Sequence, residues 1–205
     1  MKWLTIWLES ILKTNNAIYF FLKIIFIIFI FISFKTLAKE TWVLDKNLST
    51  ISFGVPVLML KDIVGEFKEI EGLVEIDTKN KKDNKAIFSV KIDSIDINYI
   101  EYKELLMSDT FFSANKFPIA LVDTGKFFYE DEKQMDLDVE LNIKGLEKII
   151  PIKVEVLQLA EELVQIKSKL EFSRTEFNIG TGKWSSTAIL RDKASIIINL
   201  FLFKK

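Results

Sequence analysis

The chain has 205 residues, 49% of them apolar, and a formal net charge of −1, which suits one globular domain with a single large core. It contains no His and no Cys, so imidazole bases, thiolate nucleophiles, disulfides and the usual zinc ligands are excluded. The lack of a basic excess argues against a nucleic-acid partner, because such a partner needs cations to neutralise its phosphates. Most common catalytic chemistry is therefore excluded, and we predict that the protein is not an enzyme.

Residues 1–38 are predicted to form a hydrophobic signal helix that directs export. Lys residues precede an apolar run over residues 24–34, and Thr36 and Ala38 occupy the two positions that a signal peptidase inspects. This run of eleven residues is short for a bilayer core, which needs ~20 residues as a helix. We therefore predict a signal peptide that is cleaved after Ala38, followed by a periplasmic domain over residues 39–205.

The alternative for the N-terminal segment is an uncleaved anchor in the inner membrane. Extending the apolar run back to residue 17 gives enough length, but residues 17–34 then include Lys23. This segment is the candidate for contact with the membrane. Without residues 1–38 the chain has 24 basic and 28 acidic residues, a balance that again gives no reason to expect nucleic acid.

From residue 41 onward, apolar and polar residues alternate, which predicts half-buried strands. Within residues 136–145, for example, Leu137 and Val139 share one face, whereas Asp138 and Glu140 share the other. Short polar turns between such segments indicate successive antiparallel strands. The other strand segments are residues 49–60, 65–77, 85–97, 150–156, 164–172 and 193–204.

One segment breaks this alternation. In residues 97–108, Ile97, Ile100, Leu105 and Leu106 follow helical spacing, so we predict one short helix there. About eight strands with local connections and this single helical insertion predict an all-β fold. We expect the antiparallel sheet to close into a barrel, because closure removes the unpaired strand edges.

The last predicted strand, residues 193–204, is apolar on both faces. Ile197 and Phe203 lie on one face, and Ile198 and Leu200 lie on the other. Large bare apolar patches are rare on soluble proteins. We therefore expect the barrel interior on one side of this strand and a packed segment of the chain on the other.

Three short motifs suggest chemistry, and each has a simpler interpretation. GTGKWSS (residues 180–186) lacks the first Gly and the hydroxyl residue after Lys that a phosphate-binding loop requires. An S-x-x-K motif at Ser113 lies in a predicted loop and lacks the companion motifs of penicillin-binding enzymes. Acidic pairs at residues 131–132 and 161–162 fall at predicted turn tips, where solvation explains them.

Several local signatures occur in a specific order and spacing along the chain. They are TWVLDKNLSTISFGV (residues 41–55), VGEFKEIEG (64–72), SDTFFSANKFP (108–118), LNIKGLEKIIPIKVEV (141–156) and FSRTEFNIGTGKW (172–184). Together they resemble the YceI-like family of secreted bacterial proteins, over roughly residues 41–202. Members of that family are lipocalin-like barrels that bind polyisoprenoid chains.

The resemblance implies a periplasmic carrier for a long isoprenoid, such as a quinone tail or a polyprenyl phosphate, with no other cofactor. An eight-stranded barrel encloses room for side chains or for one slender ligand. It further implies that Gly180 and Gly182 are turn residues before the last strand, with Trp184 as an apolar plug at the barrel rim. The residues expected to line the barrel or its mouth are Phe53, Val55, Phe67, Phe88, Val90, Ile92, Phe111 and Phe112.

The chain departs from the family pattern at two positions. Members often carry His near the first two strands, where this sequence has Leu48 and Val57. Contacts with a polar head group would then come from other residues, although a turn or strand role is the simpler interpretation for each of them. These residues are Ser168, Arg174, Asn178 and Asn199.

A second hypothesis assigns the protein a structural or stress-response role in the cell envelope. In that case the barrel is filled by its own side chains and binds no lipid. The two hypotheses differ in whether the lumen has room left for a foreign hydrocarbon. The sequence does not determine the oligomeric state, and a homodimer is one of the alternatives.

Overall fold

A computed structural model describes residues 39–56, 62–97 and 99–205. The predicted signal segment or anchor, residues 1–38, and Val57 lie outside the described residues. Within them the chain forms eleven strands, one α-helix and three 3-10 helices. The strands are β1 (Glu40–Leu44), β2 (Thr50–Val55), β3 (Ile63–Phe67), β4 (Ile70–Ile76), β5 (Asn84–Lys91), β6 (Ile95–Ile97), β7 (Ile119–Phe127), β8 (Gln134–Ile143), β9 (Leu146–Ala160), β10 (Leu163–Ser173) and β11 (Lys193–Lys204). The α-helix is α1 (Ile100–Met107), and the 3-10 helices are Ile92–Ser94, Arg174–Phe177 and Gly182–Ser185.

Eight strands close into an antiparallel barrel in the order β1-β4-β5-β7-β8-β9-β10-β11. β1 completes the ring because it pairs with β4 on one side and with β11 on the other. Trp42 in β1 is accordingly opposite both Val74 and Lys204. The predicted closed antiparallel barrel with one helical insertion is confirmed.

The remaining strands extend the wall at one end of the barrel. β11 pairs with β1 near its C-terminus and with β2 through residues 195–199, and β2 then pairs with β3 and β3 with β6. The predicted strands over residues 65–77 and 85–97 are each interrupted, at residues 68–69 and at Ile92–Ser94. Each interruption lets the two halves of one alternating segment pair with different neighbours.

Alternation along the strands fills the interior with apolar side chains. In β8, Val139, Leu141 and Ile143 are at most 4% exposed, whereas Asp138 and Glu140 between them are exposed. The same period of two holds around the ring, so each strand presents one apolar face to the lumen.

The helix is shorter than the sequence predicts. α1 covers Ile100–Met107, and Ile97 belongs instead to β6. Leu106 is buried, but Ile100, expected on the same apolar face, is 80% exposed. Among the described residues, no helix combines the length and hydropathy that crossing a membrane requires.

The expectation that both faces of the last strand are covered is wrong. Leu200 and Leu202 face the interior and are at most 2% exposed, but Ile197 is 57% exposed on the outer face. Phe203 is also exposed, and it belongs to a row of apolar residues that crosses four neighbouring strands. Each residue of this row is paired with the next one on the adjacent strand. The row is Phe203, Val43, Leu73 and Ile87. Within residues 39–56, 62–97 and 99–205, no segment covers Ile197 and Phe203 on this outer face.

Candidate functional site

The barrel encloses an apolar cavity of about 390 Å³. Side chains from all eight strands of the ring line it, including Trp42 of β1, Val74 of β4, Phe88 of β5 and Leu200 of β11. They meet there because every second residue of each strand points inward. The cavity is therefore formed by the barrel wall itself.

A smaller cavity of about 110 Å³ lies toward one end of the same lumen. Its wall is apolar and includes Leu106 of α1 together with the inward faces of β2 and β3. Four residues border both cavities, and we call them the waist: Ile51, Val90, Val122 and Ile198. A ligand that fills the lumen from end to end has to pass between the waist side chains.

Most of the predicted lining residues face these cavities. Phe88 lines the larger cavity, and Val90 lies at the waist. The smaller cavity is lined by Phe53, Val55, Phe67, Ile92, Phe111 and Phe112. Trp184 borders neither cavity and packs edge-on against Phe111, with ring centroids 5.9 Å apart. Contact of these residues with a ligand stays a prediction.

Two cross-strand glycines make room for the large aromatic rings. Phe88 lies opposite Gly72, and a Cβ atom at Gly72 would approach its ring to 2.1 Å. Phe53 lies opposite Gly65 in the same way, with a corresponding distance of 2.4 Å. Because each ring packs directly over a residue without a side chain, it lies closer to the barrel wall than a larger residue at that position would allow.

Gly72→Ala is expected to weaken isoprenoid binding about four- to fifteenfold, because the added methyl pushes Phe88 into the cavity and displaces one or two carbons of the ligand. Titration of the full chain with geranylgeraniol measures this loss. Gly54→Ala is the matched control, since Gly54 lies opposite Ser195 on the outer face, and among the described residues a methyl there meets only the Ser195 hydroxyl, at 3.3 Å. Equal affinity of the two variants would contradict the role assigned to Gly72.

Polar residues form the mouth of the larger cavity, at the end where β1 begins and β11 ends. Nζ of Lys204 lies 2.7 Å from the carboxylate of Glu40. Burial, and then the charges of Asp131 and Glu132, raise the pKa of Tyr129. The sequence pattern gives no signal for this mouth, because charged turn tips usually face solvent. The polar mouth residues are Glu40, Thr78, Tyr129, Asp131, Gln158, Glu161 and Lys204.

The opposite end is closed around Arg174, which is 1% exposed. Its guanidinium donates from Nε to the carbonyl of Arg191 (3.0 Å), from Nη1 to Ile179 (2.7 Å) and from Nη2 to Leu190 (2.7 Å). Gly180 packs so closely that a Cβ atom there would lie 2.6 Å from Nη1, and its φ of +78° suits glycine. The GTGKW segment (residues 180–184) therefore packs around the buried guanidinium of Arg174 and helps to close this end of the barrel.

The charged residues Arg174 and Asp192 also interact within the segment that closes this end of the barrel. Burial lowers the pKa of Arg174, and the charge of Asp192 opposes that effect. Asp192 in turn accepts hydrogen bonds from the backbone N–H (3.1 Å) and hydroxyl (2.7 Å) of Thr175. Arg174 is therefore a structural cation, fully engaged with backbone carbonyls.

A second cation ties the closing loops to the barrel. Nζ of Lys144, on the β8–β9 turn, donates to the carbonyls of Asp109 (2.8 Å) and Asn178 (2.9 Å). Burial lowers the pKa of Lys144, although the charge of Asp109 opposes this. The loop after α1 and the loop after β10 are thereby joined at the closed end.

The four predicted head-group residues are not brought together. Ser168 borders the larger cavity, where its hydroxyl donates to the carbonyl of Lys153 at 2.8 Å. Asn199 lies on the outer face and accepts a hydrogen bond from Gln165 at 2.7 Å. Arg174 and Asn178 both belong to the closed end. Turn and strand roles therefore account for the hydrogen bonds of these residues.

The match to known families is consistent with this geometry. The model of the YceI-like domain matches residues 42–202. The chain belongs to the YceI-like family. Among curated relatives, it is 28% identical to a UPF0312 protein of Photorhabdus laumondii over 107 residues, which are 52% of this chain and 55% of that protein. It is 24% identical to Protein YceI of Salmonella newport over 107 residues, 52% of this chain and 56% of that protein.

The chain spans about half the length of the curated relatives it matches. Two solved structures share its fold over more of their length. BcnA of Burkholderia cenocepacia aligns with a TM-score of 0.70 at 23% identity, covering 77% of this chain and 98% of that one. A polyisoprenoid binding domain from Saccharophagus degradans aligns with a TM-score of 0.67 at 14% identity, covering 80% and 98%. At these identities the likeness establishes the fold of this YceI-like domain.

Proposed function

We propose that this YceI-like protein binds a long isoprenoid lipid inside its barrel and acts as a carrier for it. The observation that carries the proposal is the apolar cavity of about 390 Å³, to which all eight strands contribute. One solved structure with the same fold is a polyisoprenoid binding domain. A quinone with an isoprenoid tail and a polyprenyl phosphate are both candidate ligands.

Burial of the hydrocarbon supplies the driving force. Each CH₂ group transferred from water into the lumen contributes about 0.8 kcal/mol. Burial of several isoprene units therefore contributes a large favourable free energy of binding. The entropy that the flexible tail loses on binding offsets a substantial part of it. A flexible, slender tail can pass the waist side chains such as Ile51 and Val90. A rigid polycyclic ligand would clash with them.

We further propose that the domain works in the periplasm after export by residues 1–38. Mapping the N-terminus of the exported protein tests this assignment. A chain that begins at Lys39 supports a cleaved signal peptide, whereas a chain that retains residues 17–34 supports an inner-membrane anchor. Recovery of the protein only from the cytoplasm would contradict both.

The carrier proposal is tested by extracting the lipid that accompanies the natively exported protein. Native mass spectrometry after gentle purification is expected to show a bound isoprenoid, and organic extraction identifies it. Barrels that are uniformly free of lipid, and that do not bind added geranylgeraniol, would contradict the proposal. They would favour the structural or stress-response role in the envelope.

A further inference from the structure

The two ends of the lumen differ in polarity. At the mouth of the larger cavity, side chains such as Tyr129 and Asp131 reach solvent. At the closed end, the smaller cavity is apolar, and Phe111 and Leu190 contribute to its floor. A polar head group would lose its hydration at the closed end without gaining partners.

Among the described residues that line the smaller cavity, the one cation is Arg174, and it does not provide such a partner. Nε, Nη1 and Nη2 of Arg174 each donate to a backbone carbonyl. A ligand oxygen that approached Arg174 would have to replace one of these bonds and leave a carbonyl unpaired. Hydrogen bonding therefore favours the mouth as the position of the head group.

The charges at the mouth limit what that head group can be. Three carboxylates border the cavity there: Glu40, Asp131 and Glu161. In the part of the chain that the structure describes, the one cation that lines this cavity is Lys204, which is already paired with Glu40 at 2.7 Å. Lys79 and Lys82 lie on the β4–β5 turn next to Thr78 but do not border the cavity. A phosphate, which carries about −1.5 to −2 charges at neutral pH, would be repelled at this position.

Tyr129 supplies a complementary feature for an uncharged ligand. Its side chain is half-buried and borders the cavity, and burial raises the pKa of its hydroxyl, a group that is already protonated at neutral pH in an ordinary Tyr. The backbone N–H of Tyr129 donates to the carbonyl of Lys81 at 3.0 Å, and among the described residues the hydroxyl has no protein partner. It is therefore able to donate to a carbonyl or hydroxyl oxygen of a ligand at the mouth.

We infer that the isoprenoid enters tail first, that its head group stays at the Glu40–Lys204 mouth, and that this mouth selects an uncharged head group over a phosphate. This inference rests on the proposed carrier function and narrows its ligand class. It assigns the ring or hydroxyl of the lipid to the mouth and the end of the tail to the cavity beside Phe111.

Two tryptophans allow the position of the head group to be measured. Trp42 borders the larger cavity next to Lys204, whose Nζ lies 5.8 Å from its ring, whereas Trp184 packs at the closed end. In the full chain carrying Trp3→Phe and Trp7→Phe, Trp184→Phe leaves Trp42 as reporter, and Trp42→Phe leaves Trp184. A ubiquinone with two isoprene units is the probe, because its ring quenches nearby tryptophan emission.

We expect the quinone to remove most of the Trp42 emission and little of the Trp184 emission. Circular dichroism of both variants verifies that they are folded. If Trp42→Phe does not fold, the change in quenching between the parent and Trp184→Phe gives the same comparison. Stronger quenching of Trp184 than of Trp42 would overturn the inferred orientation.

The head-group class is tested with two ligands that share one tail, geranylgeraniol and geranylgeranyl phosphate. At low ionic strength the alcohol is expected to bind about five- to tenfold more tightly, and at about 0.5 M salt this difference should shrink because the charges are screened. Replacing the mouth carboxylates by Glu40→Gln, Asp131→Asn and Glu161→Gln should raise phosphate affinity by more than it changes alcohol affinity, so that the preference for the alcohol shrinks.

A control variant makes the same change in net charge at the closed end, by Glu101→Gln, Glu104→Gln and Glu176→Gln, all exposed residues. It should keep the preference for the alcohol. Phosphate binding as tight as alcohol binding in the unmodified chain, or equal effects of the two triple variants, would overturn the inferred selectivity. If neither ligand binds the unmodified chain, the carrier function itself fails and this inference fails with it.

Discussion

Val156→Trp is expected to lower the affinity for an isoprenoid by about 30-fold or more. Val156 lies on β9 and borders the larger cavity, so an indole at this position occupies space that the tail needs. Displacing three carbons of the ligand costs about 2.4 kcal/mol, which corresponds to about 60-fold in the dissociation constant. Titration with geranylgeraniol measures the loss, and lipid extraction should show less bound lipid in the exported variant.

The neighbouring residue provides a control on the same strand. Leu157 lies opposite Gln165 and points to the outer face, whereas Val156 lies opposite Ile166 and points inward. Leu157→Trp adds the same indole one residue away and should bind the lipid as well as the unmodified chain does. If Val156→Trp is folded and retains full affinity, the ligand does not occupy the lumen.

Arg174→Ala is expected to destabilise the domain by about 3–5 kcal/mol, because it leaves several buried carbonyls without donors. This loss is a large part of the 5–15 kcal/mol that is typical of a domain. Urea unfolding measures the change in free energy, and thermal unfolding should show a decrease in Tm of about 10 °C. Arg174→Lys should recover only part of the loss, since an ammonium group lacks the planar geometry that reaches all of these carbonyls.

Arg191→Ala is the control for Arg174. The side chain of Arg191 is exposed, and the residue accepts the hydrogen bond from Arg174 through its backbone carbonyl. Its truncation should change the free energy of unfolding by no more than about 0.5 kcal/mol. A stability of Arg174→Ala within that same range would show that the closing segment does not depend on the buried guanidinium.

The barrel wall is predictable from the sequence because alternation has a direct structural meaning. Residues such as Val139 and Leu141 alternate with Asp138 and Glu140, and only a half-buried strand separates them onto two faces. The interruption between β3 and β4 has no such signal. It arises because the two halves of residues 65–77 pair with different strands, and that pairing depends on residues far away in the sequence.

The candidate site was predictable in part. Phe53, Phe88 and Val90 are apolar residues of alternating segments, and they border the cavities as expected. The polar mouth was not predictable, since residues 131 and 161 come together only when the β7–β8 and β9–β10 turns meet at one end of the barrel. No sequence pattern distinguishes Asp131 and Glu161 from other acidic residues in solvent-exposed turns.

Arg174 illustrates the same limit at the opposite end. A basic residue beside Ser and Thr in FSRTEF (residues 172–177) was a candidate for a ligand head group. Its partners are the backbone carbonyls of Ile179, Leu190 and Arg191. Because every residue carries a carbonyl, hydrogen bonds of this kind leave no pattern in the sequence.

By itself, the sequence determined that this chain forms an antiparallel barrel with an apolar inner face, because a period of two in hydrophobicity is satisfied only by strands that bury one side. Only the tertiary structure shows that Gly72 and Gly65 leave space in the lumen and that one end of the barrel is polar whereas the other is closed. It also shows that apolar residues on the outer face of β11 are exposed. These features depend on which residues of distant strands lie opposite each other, and strand register is set by the closure of the whole ring.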